Sequence, residues 1–365
     1  MYTLAEVAQV ALTQCLDVKE SERLLIISNP ETEQEEIAKA FAKKASAIGA
    51  KVRFLLQPVK SQHDFADDEV IRAIEESPDV LLSISNEKLG KDKARLASPL
   101  FAPDGRSYDH IFNYLLHGLK AMRAVWAPGI TKDIFLRTVP IDYKTMRRTA
   151  AELASLLDRA STVLVRSPGG TDIVFSILER KAMLDDGDFR YPGKGGNLPA
   201  GEVFISPALK STEGTIVFDG SIADIEGDIV IEEPIVCSVR GGYVIGIEGG
   251  NEAKRLDAAM MQGLSMASSL VSEKGMSPEI ALAYGTNARH LGEFGIGLNS
   301  AAHISGNMLE DEKVMGTIHF AIGSNYDEDA PALIHLDGLV RSPTVVLLMP
   351  TGEEIAIIEQ GVLAV

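Results

Sequence analysis

The sequence predicts two domains. The first, over residues 1–160, is an α/β domain on a doubly wound, mainly parallel sheet; the second, over 161–365, is a β-rich α+β domain that carries a metal site. Three observations predict this. Short apolar runs alternate with helical stretches through the first 160 residues. From about residue 161 the strands are instead divided by Gly, Pro and Asp. Histidines and carboxylates then gather inside strand-like segments between 290 and 337.

The first half opens on "MYTLAEVAQVALTQCLDVKESERL", whose apolar residues recur at helical spacing with no basic stretch before them, so it reads as a helix and not a signal peptide. "RLLIIS", "KVRFLL", "DVLLSIS" and "MRAVWA" are compact strands. Between and after them, "PETEQEEIAKAFAKKASAIGA", "DDEVIRAIEES", "SYDHIFNYLLHGLK" and "DYKTMRRTAAELASLLDRA" read as helices. Strands joined by helices of that length imply parallel crossovers. The first strand-to-helix turn, "SNPETEQE", lacks both G-x-G-x-x-G and a P-loop lysine. Its acids would repel a phosphate, so the domain reads as scaffold or substrate wall. In the second half "STVLVRS", "TDIVFSIL", "EVFISP", "GTIVFDGSI" and "DIVIEEPIVCSVRGGYVIGIEGG" are strands, and so is the C-terminal "TVVLLMPTGEEIAIIEQGVLAV". One clear helix, "NEAKRLDAAMMQGLSMASSLVSEKG", interrupts them.

The bulk composition narrows the function. At 365 residues the chain is long for one core, and a net charge of −17 argues against nucleic acid or an anionic membrane as partner. Cys15 and Cys237 lie far apart and offer neither a disulfide framework nor metal-ligand spacing. No run approaches the roughly 20 apolar residues of a spanning helix. These features together give the expectation of a cytoplasmic protein.

Four of the seven histidines are His290, His303, His319 and His335. A strand through His335-Leu336-Asp337 turns the imidazole and the carboxylate to one face and Leu336 to the other. His319 in "TIHFAIG" is likewise opposed to Ile318 and Phe320. Glu202 opens the strand in "PAGEVFISP", and Glu293 stands among Gly292, Gly295 and Gly297, where backbone can approach closely. Tyr326 follows His319 by seven residues, and Glu312 lies in the acidic "LEDEKVMGT". Singly, each has a plainer reading: a satisfied core histidine, a turn tyrosine, a solvated acid. Together they make the inventory of one or two divalent metals. No G-x-S-x-G accompanies them, and Cys237 lies in an apolar strand.

The motifs "NLPAGEVF", "GEFGIGLN", "DEKVMGTIHFAIGSNY" and "IHLD", with "GTDIVFSI" before them, resemble in order peptidase family M29, the thermophilic metalloaminopeptidases. The resemblance covers essentially the whole chain. It implies that Glu202, Glu293, His319, His335 and Asp337 bind metal, with Glu293 shared between two ions. Glu312 is the nearest counterpart of a further acidic ligand, and Tyr326 of the active-site tyrosine. It implies a homodimer that takes short peptides or another small molecule as substrate. Two ions, Zn, Co, Mn or Mg, would activate a water for release of N-terminal residues, with Glu293 as proton acceptor and Tyr326 on the oxyanion.

Two departures point to a second branch. Glu312 precedes His319 by seven residues, farther than in the typical peptidases, and the stretch from Tyr326 to His335 is shorter than theirs. In the same motifs the chain resembles a ring-cleaving group typified by 2,5-dihydroxypyridine dioxygenase. There His319, His335 and Asp337 would form a two-histidine, one-carboxylate triad for a single Fe(II).

Overall fold

The computed structural model describes residues 2–61, 64–224, 227–274 and 277–365. They form two compact units, Met1–Arg147 with Asp185–Ala200, and Arg148–Leu184 with Gly201–Val365. Where one boundary was expected near residue 160, the chain passes between the two units three times. The chain leaves the first unit within the helix Tyr143–Leu157 and returns to it for 185–200.

In the first unit the strands stand in the order Gly195–Asn197, Arg123–Trp126, Val80–Ile84, Arg23–Ser28, Lys51–Leu56, all parallel. The order in which successive strands are added reverses between 23–28 and 80–84, as in doubly wound sheets. The last strand is supplied by the returning segment and was not read from sequence. Val80–Ile84 is buried throughout, as expected of a central strand covered on both faces. The crossover helix Glu33–Ile48 starts on Thr32, whose side chain accepts from the Glu35 N–H. It stops at Gly49, which takes the left-handed conformation at φ 95°. One expected helix is shorter than read. Ser107–Tyr108 pairs with Leu100–Phe101 instead, and the helix begins at Ile111 behind a His110 cap.

The second unit stacks two sheets. One has eight strands, in the order 243–248, 235–240, 213–218, 172–176, 162–166, 344–348, 354–359, 362–363. The other has seven, in the order 229–230, 221–222, 335–341, 317–323, 291–297, 202–205, 183–185. Phe175 of the first sheet meets Phe294 and Phe320 of the second at ring-centroid distances of 5.2 and 5.9 Å. Those two rings lie 5.5 Å apart on neighbouring strands. All three are buried, and each contributes about 1.5–3 kcal/mol by leaving water.

This packing fixes the opposite face of the inner strands. With Phe294, Ile296, Ile318, Phe320, Leu336 and Val340 turned to the core, Glu293, His319, His335 and Asp337 must turn the other way. Two helices, Asn251–Lys274 and Pro278–Asn287, belong to this unit. The second was missed because its apolar residues do not follow a helical period. Its start signal was present, with Ser277 capping the Ile280 N–H and Pro278 in the first turn. Among the described residues, no helix is long and apolar enough to cross a membrane.

Candidate metal centre

The centre is built on four adjacent strands of the seven-stranded sheet, Glu202–Ile205, Leu291–Gly297, Thr317–Gly323 and His335–Arg341. A bulge between Leu291 and Glu293 does part of the aiming. Leu291 pairs with core-facing Ile322 and Glu293 with Ala321, so the irregularity turns Leu291 inward and Glu293 onto the ligand face. Directly across from His319 stands Gly295, and a Cβ there would lie 1.9 Å from His319 Nε2. The imidazole lies over that strand because residue 295 has no side chain.

Two groups of three ligand atoms result, each within 4.8 Å: Glu202 with Glu293 and His319, and Glu293 with His335 and Asp337. Glu293 belongs to both. Its Oε1 is 3.2 Å from His319 Nε2, and its Oε2 is 3.1 Å from His335 Nε2. Glu202 Oε2 lies 3.5 Å from His319 Nε2, and Asp337 Oδ1 lies 3.5 Å from His335 Nε2. The buried Glu202 Oε2 makes no hydrogen bond, and Glu293 Oε2 has only the His335 imidazole beside it. Buried acceptors left that way are costly unless a cation meets them, so the donor set fits a divalent metal. His335 Nδ1 sits 2.9 Å from the Ser324 carbonyl, an arrangement that places its proton there and leaves Nε2 for an ion.

Charge is concentrated here. Burial opposes the Glu293 charge, but hydrogen bonds from His319 and His335 outweigh it and hold the carboxyl at about 2. Burial likewise works against a charged His319, yet Glu293 and Glu202 raise it to about 9. His335 is pushed well above the ordinary range by Asp337 and Glu293, again against burial. The metal-free site therefore keeps protons on imidazoles that an ion must displace.

Glu312 stands outside both groups. Its carboxyl is raised to about 8, chiefly by burial, with Glu202 and Asp337 adding to the effect and Lys313 opposing it. Lys313, which sequence reasoning passed over, is wholly buried; its Nζ reaches Glu202 Oε1 at 2.5 Å and Glu312 Oε1 at 2.6 Å. A lysine beside an acidic run reads as surface, and nothing in the local pattern marked it as buried. His290 and His303 also lie outside the groups. The first is buried against Tyr243, and the second pairs with Glu310.

The two sides of the centre differ in access. Glu202 and His319 are sealed, whereas a quarter of the His335 side chain is exposed. Tyr326 marks the open side, with its ring 4.9 Å from Phe204 and 5.4 Å from His335 and the residue 53% exposed. Although much of the residue is exposed, withdrawal of its hydroxyl end from water, together with Glu293 and Asp337, raises its pKa well above the usual value. The loop carrying Tyr326 is closed by Arg180, whose guanidinium lies 2.9 Å from Asp329, and by the Asn325 amide donating to Asp329. A separate cavity of about 430 Å³ in the first unit, walled by Trp126 and Phe112, includes none of the ligand residues.

Against known proteins, the family model described as NicX, 2,5-dihydroxypyridine 5,6-dioxygenase, matches residues 3–363. The curated 2,5-dihydroxypyridine 5,6-dioxygenase of Pseudomonas putida is 31% identical over 145 residues, an alignment spanning 38% of this chain and only 38% of that relative. Among solved structures, the 2,5-dihydroxypyridine dioxygenase from Pseudomonas putida superposes with a TM-score of 0.71 at 18% identity, covering 99% of this chain and 96% of its own. AmpT from Thermus thermophilus superposes with a TM-score of 0.65, also at 18% identity, covering 99% of both chains. At that identity both likenesses concern the fold.

Proposed function

The chain belongs to the 2,5-dihydroxypyridine 5,6-dioxygenase family, and from that premise we propose that it is a metal-dependent dioxygenase opening a small hydroxylated aromatic ring. The observation that carries this is the family match itself, which runs from residue 3 to 363 and so takes in every strand of the centre. The donor set of imidazole nitrogens and carboxylate oxygens is compatible with ferrous iron. A single Fe(II), when bound, supplies the one-electron chemistry through which dioxygen and an electron-rich ring react. Both oxygen atoms enter the product, so no further reductant is required.

The residues take definite parts in this reading. Glu293, His335 and Asp337 hold the ion on the open side. This differs from the triad expected from sequence, because His319 groups with Glu293 and Glu202 and not with His335 and Asp337. His319 then orients Glu293 through its 3.2 Å contact. Tyr326 presents a ring face for stacking and a phenol that donates to a ring oxygen, and Phe204 backs it. The test is oxygen uptake by protein purified without oxygen and loaded with Fe(II), using 2,5-dihydroxypyridine and related dihydroxylated rings. One O₂ consumed per ring opened is expected. No uptake with any such ring overturns the reading.

A second reading is supported by one specific observation, the membership of Glu293 in both ligand groups. A carboxylate so placed bridges two ions that together activate a water, and Tyr326 would face the oxyanion of a peptide carbonyl. The chain would then be a two-metal aminopeptidase. Release of amino acids from short peptides by Zn-, Co- or Mn-loaded protein is its test. Homodimerisation and a cytoplasmic location accompany both readings, and light scattering checks the first of these.

A further inference from the structure

Lysine is among the residues least often fully buried, and is almost never so unless its charge is paired. Lys313 follows the short helix Met308–Asp311. Its N–H donates to the Glu310 carbonyl, and its carbonyl accepts from Asn299 N–H, so its backbone is fixed from both sides. The side chain ends between two acids, with Nζ 2.5 Å from Glu202 Oε1 and 2.6 Å from Glu312 Oε1. Glu202 is thereby divided: one oxygen lies on the ammonium, and the other points toward His319 Nε2 at 3.5 Å.

We propose that the Lys313 ammonium is a built-in replacement for a second divalent ion, so that the centre binds one ion, held by Glu293, His335 and Asp337. The proposal rests on the one-metal reading above. Three features lead to it. The acids on the sealed side of Glu293, Glu202 and Glu312, are already joined by a cation that cannot dissociate. A dication placed at Glu202, Glu293 and His319 would share the Glu202 carboxylate with that ammonium in a dry site, where like charges repel far more strongly than in water. Access is lopsided too: the Glu202 and His319 side chains are 8% and 1% exposed, against 25% and 12% for His335 and Asp337.

The experiment uses Mn(II) as the probe. Metal-stripped full-length protein is titrated without oxygen and followed by calorimetry and electron paramagnetic resonance. Wild type is expected to take one Mn(II) per chain and give the six-line spectrum of an isolated ion. Lys313→Met is expected to take two and give a spin-coupled spectrum, because Glu202 and Glu312 are released. Lys313→Arg, which keeps the charge, is expected to take one. Two coupled ions in wild type, or a single ion in Lys313→Met, overturn the proposal. If Lys313→Met does not fold, the counts for wild type and Lys313→Arg decide alone. Protein that binds one Mn(II) yet, loaded with Fe(II), consumes no oxygen sinks the ring-opening reading and leaves the role of Lys313 standing. Protein that binds two overturns the role of Lys313 whatever its substrate.

Discussion

Gly295→Ala would put a methyl group where the His319 imidazole lies. The added Cβ would stand 1.9 Å from Nε2, 2.1 Å from Cε1 and 2.7 Å from Cδ2, where ordinary contact begins at 3.4 Å. The ring must retreat by about 1.5 Å, the gap between those limits. It is buried, and the pairing of Gly295 with His319 leaves the two strands no freedom to separate. Retreat breaks the 3.2 Å contact with Glu293, a charge-assisted interaction worth about 1.5–3 kcal/mol. Whether His319 ligates an ion or only orients Glu293, loss of such a partner lowers metal affinity about 10- to 100-fold, or roughly 1.4–2.7 kcal/mol. Calorimetric titration with Mn(II), paired with denaturant unfolding with and without metal, measures both effects. In a His319→Ala background the same substitution should cost almost nothing further, since the ring it collides with is gone. Wild-type affinity in Gly295→Ala, or an equal cost in both backgrounds, would refute the reasoning.

Three further outcomes follow from the same geometry. Asp337→Ala should abolish metal binding on the open side while leaving the far-ultraviolet circular dichroism unchanged, because Asp337 faces away from the Phe175 cluster; wild-type metal content would contradict this. Tyr326→Phe should keep the metal and lower kcat about 10²-fold with little change in KM, as expected of a donor acting on developing charge, and a kinetic comparison under Fe(II) loading checks it. For metal-free protein, His319 at about 9 lies above its unfolded value near 6.5, so the stability from its contact with Glu293 is complete below pH 6.5 and is lost as pH rises through 9. Thermal melts of stripped protein from pH 6 to 9.5 should therefore fall, while metal affinity rises over the same interval as the imidazoles give up their protons.

Much of the ligand face was legible because strand alternation is simple. Once Ile318 and Phe320 are assigned to a core, His319 has only one other way to point, and Leu336 does the same for His335 and Asp337. The glycines around Glu293 signalled close approach, and the structure identifies what approaches Gly295, the His319 ring. Harder to read were features set by partners distant in sequence. Glu202 reads locally as an exposed strand start, yet the neighbouring strand Leu291–Gly297 and the side chain of Lys313 bury it. Lys313 carries no local mark of burial. The fifth strand of the parallel sheet, Gly195–Asn197, is three residues of Gly-Gly-Asn with no apolar run to announce it. The helix Pro278–Asn287 announced its start but not its period.

The division of the inner strands into a core face and a ligand face separates two kinds of inheritance. Changes at Phe294, Phe320 or Leu336 disturb the packed core, and changes at Glu293, His319 or Asp337 alter the charge and donor set of the candidate site. Neighbouring positions on the same strands can therefore drift under different selection, one conservative and one exploratory. A lineage can replace a ligand, add a lysine or shorten a loop over the open side without rebuilding the sheets beneath. That independence gives a physical route by which a single scaffold comes to serve both a dioxygenase and AmpT, proteins that share this fold.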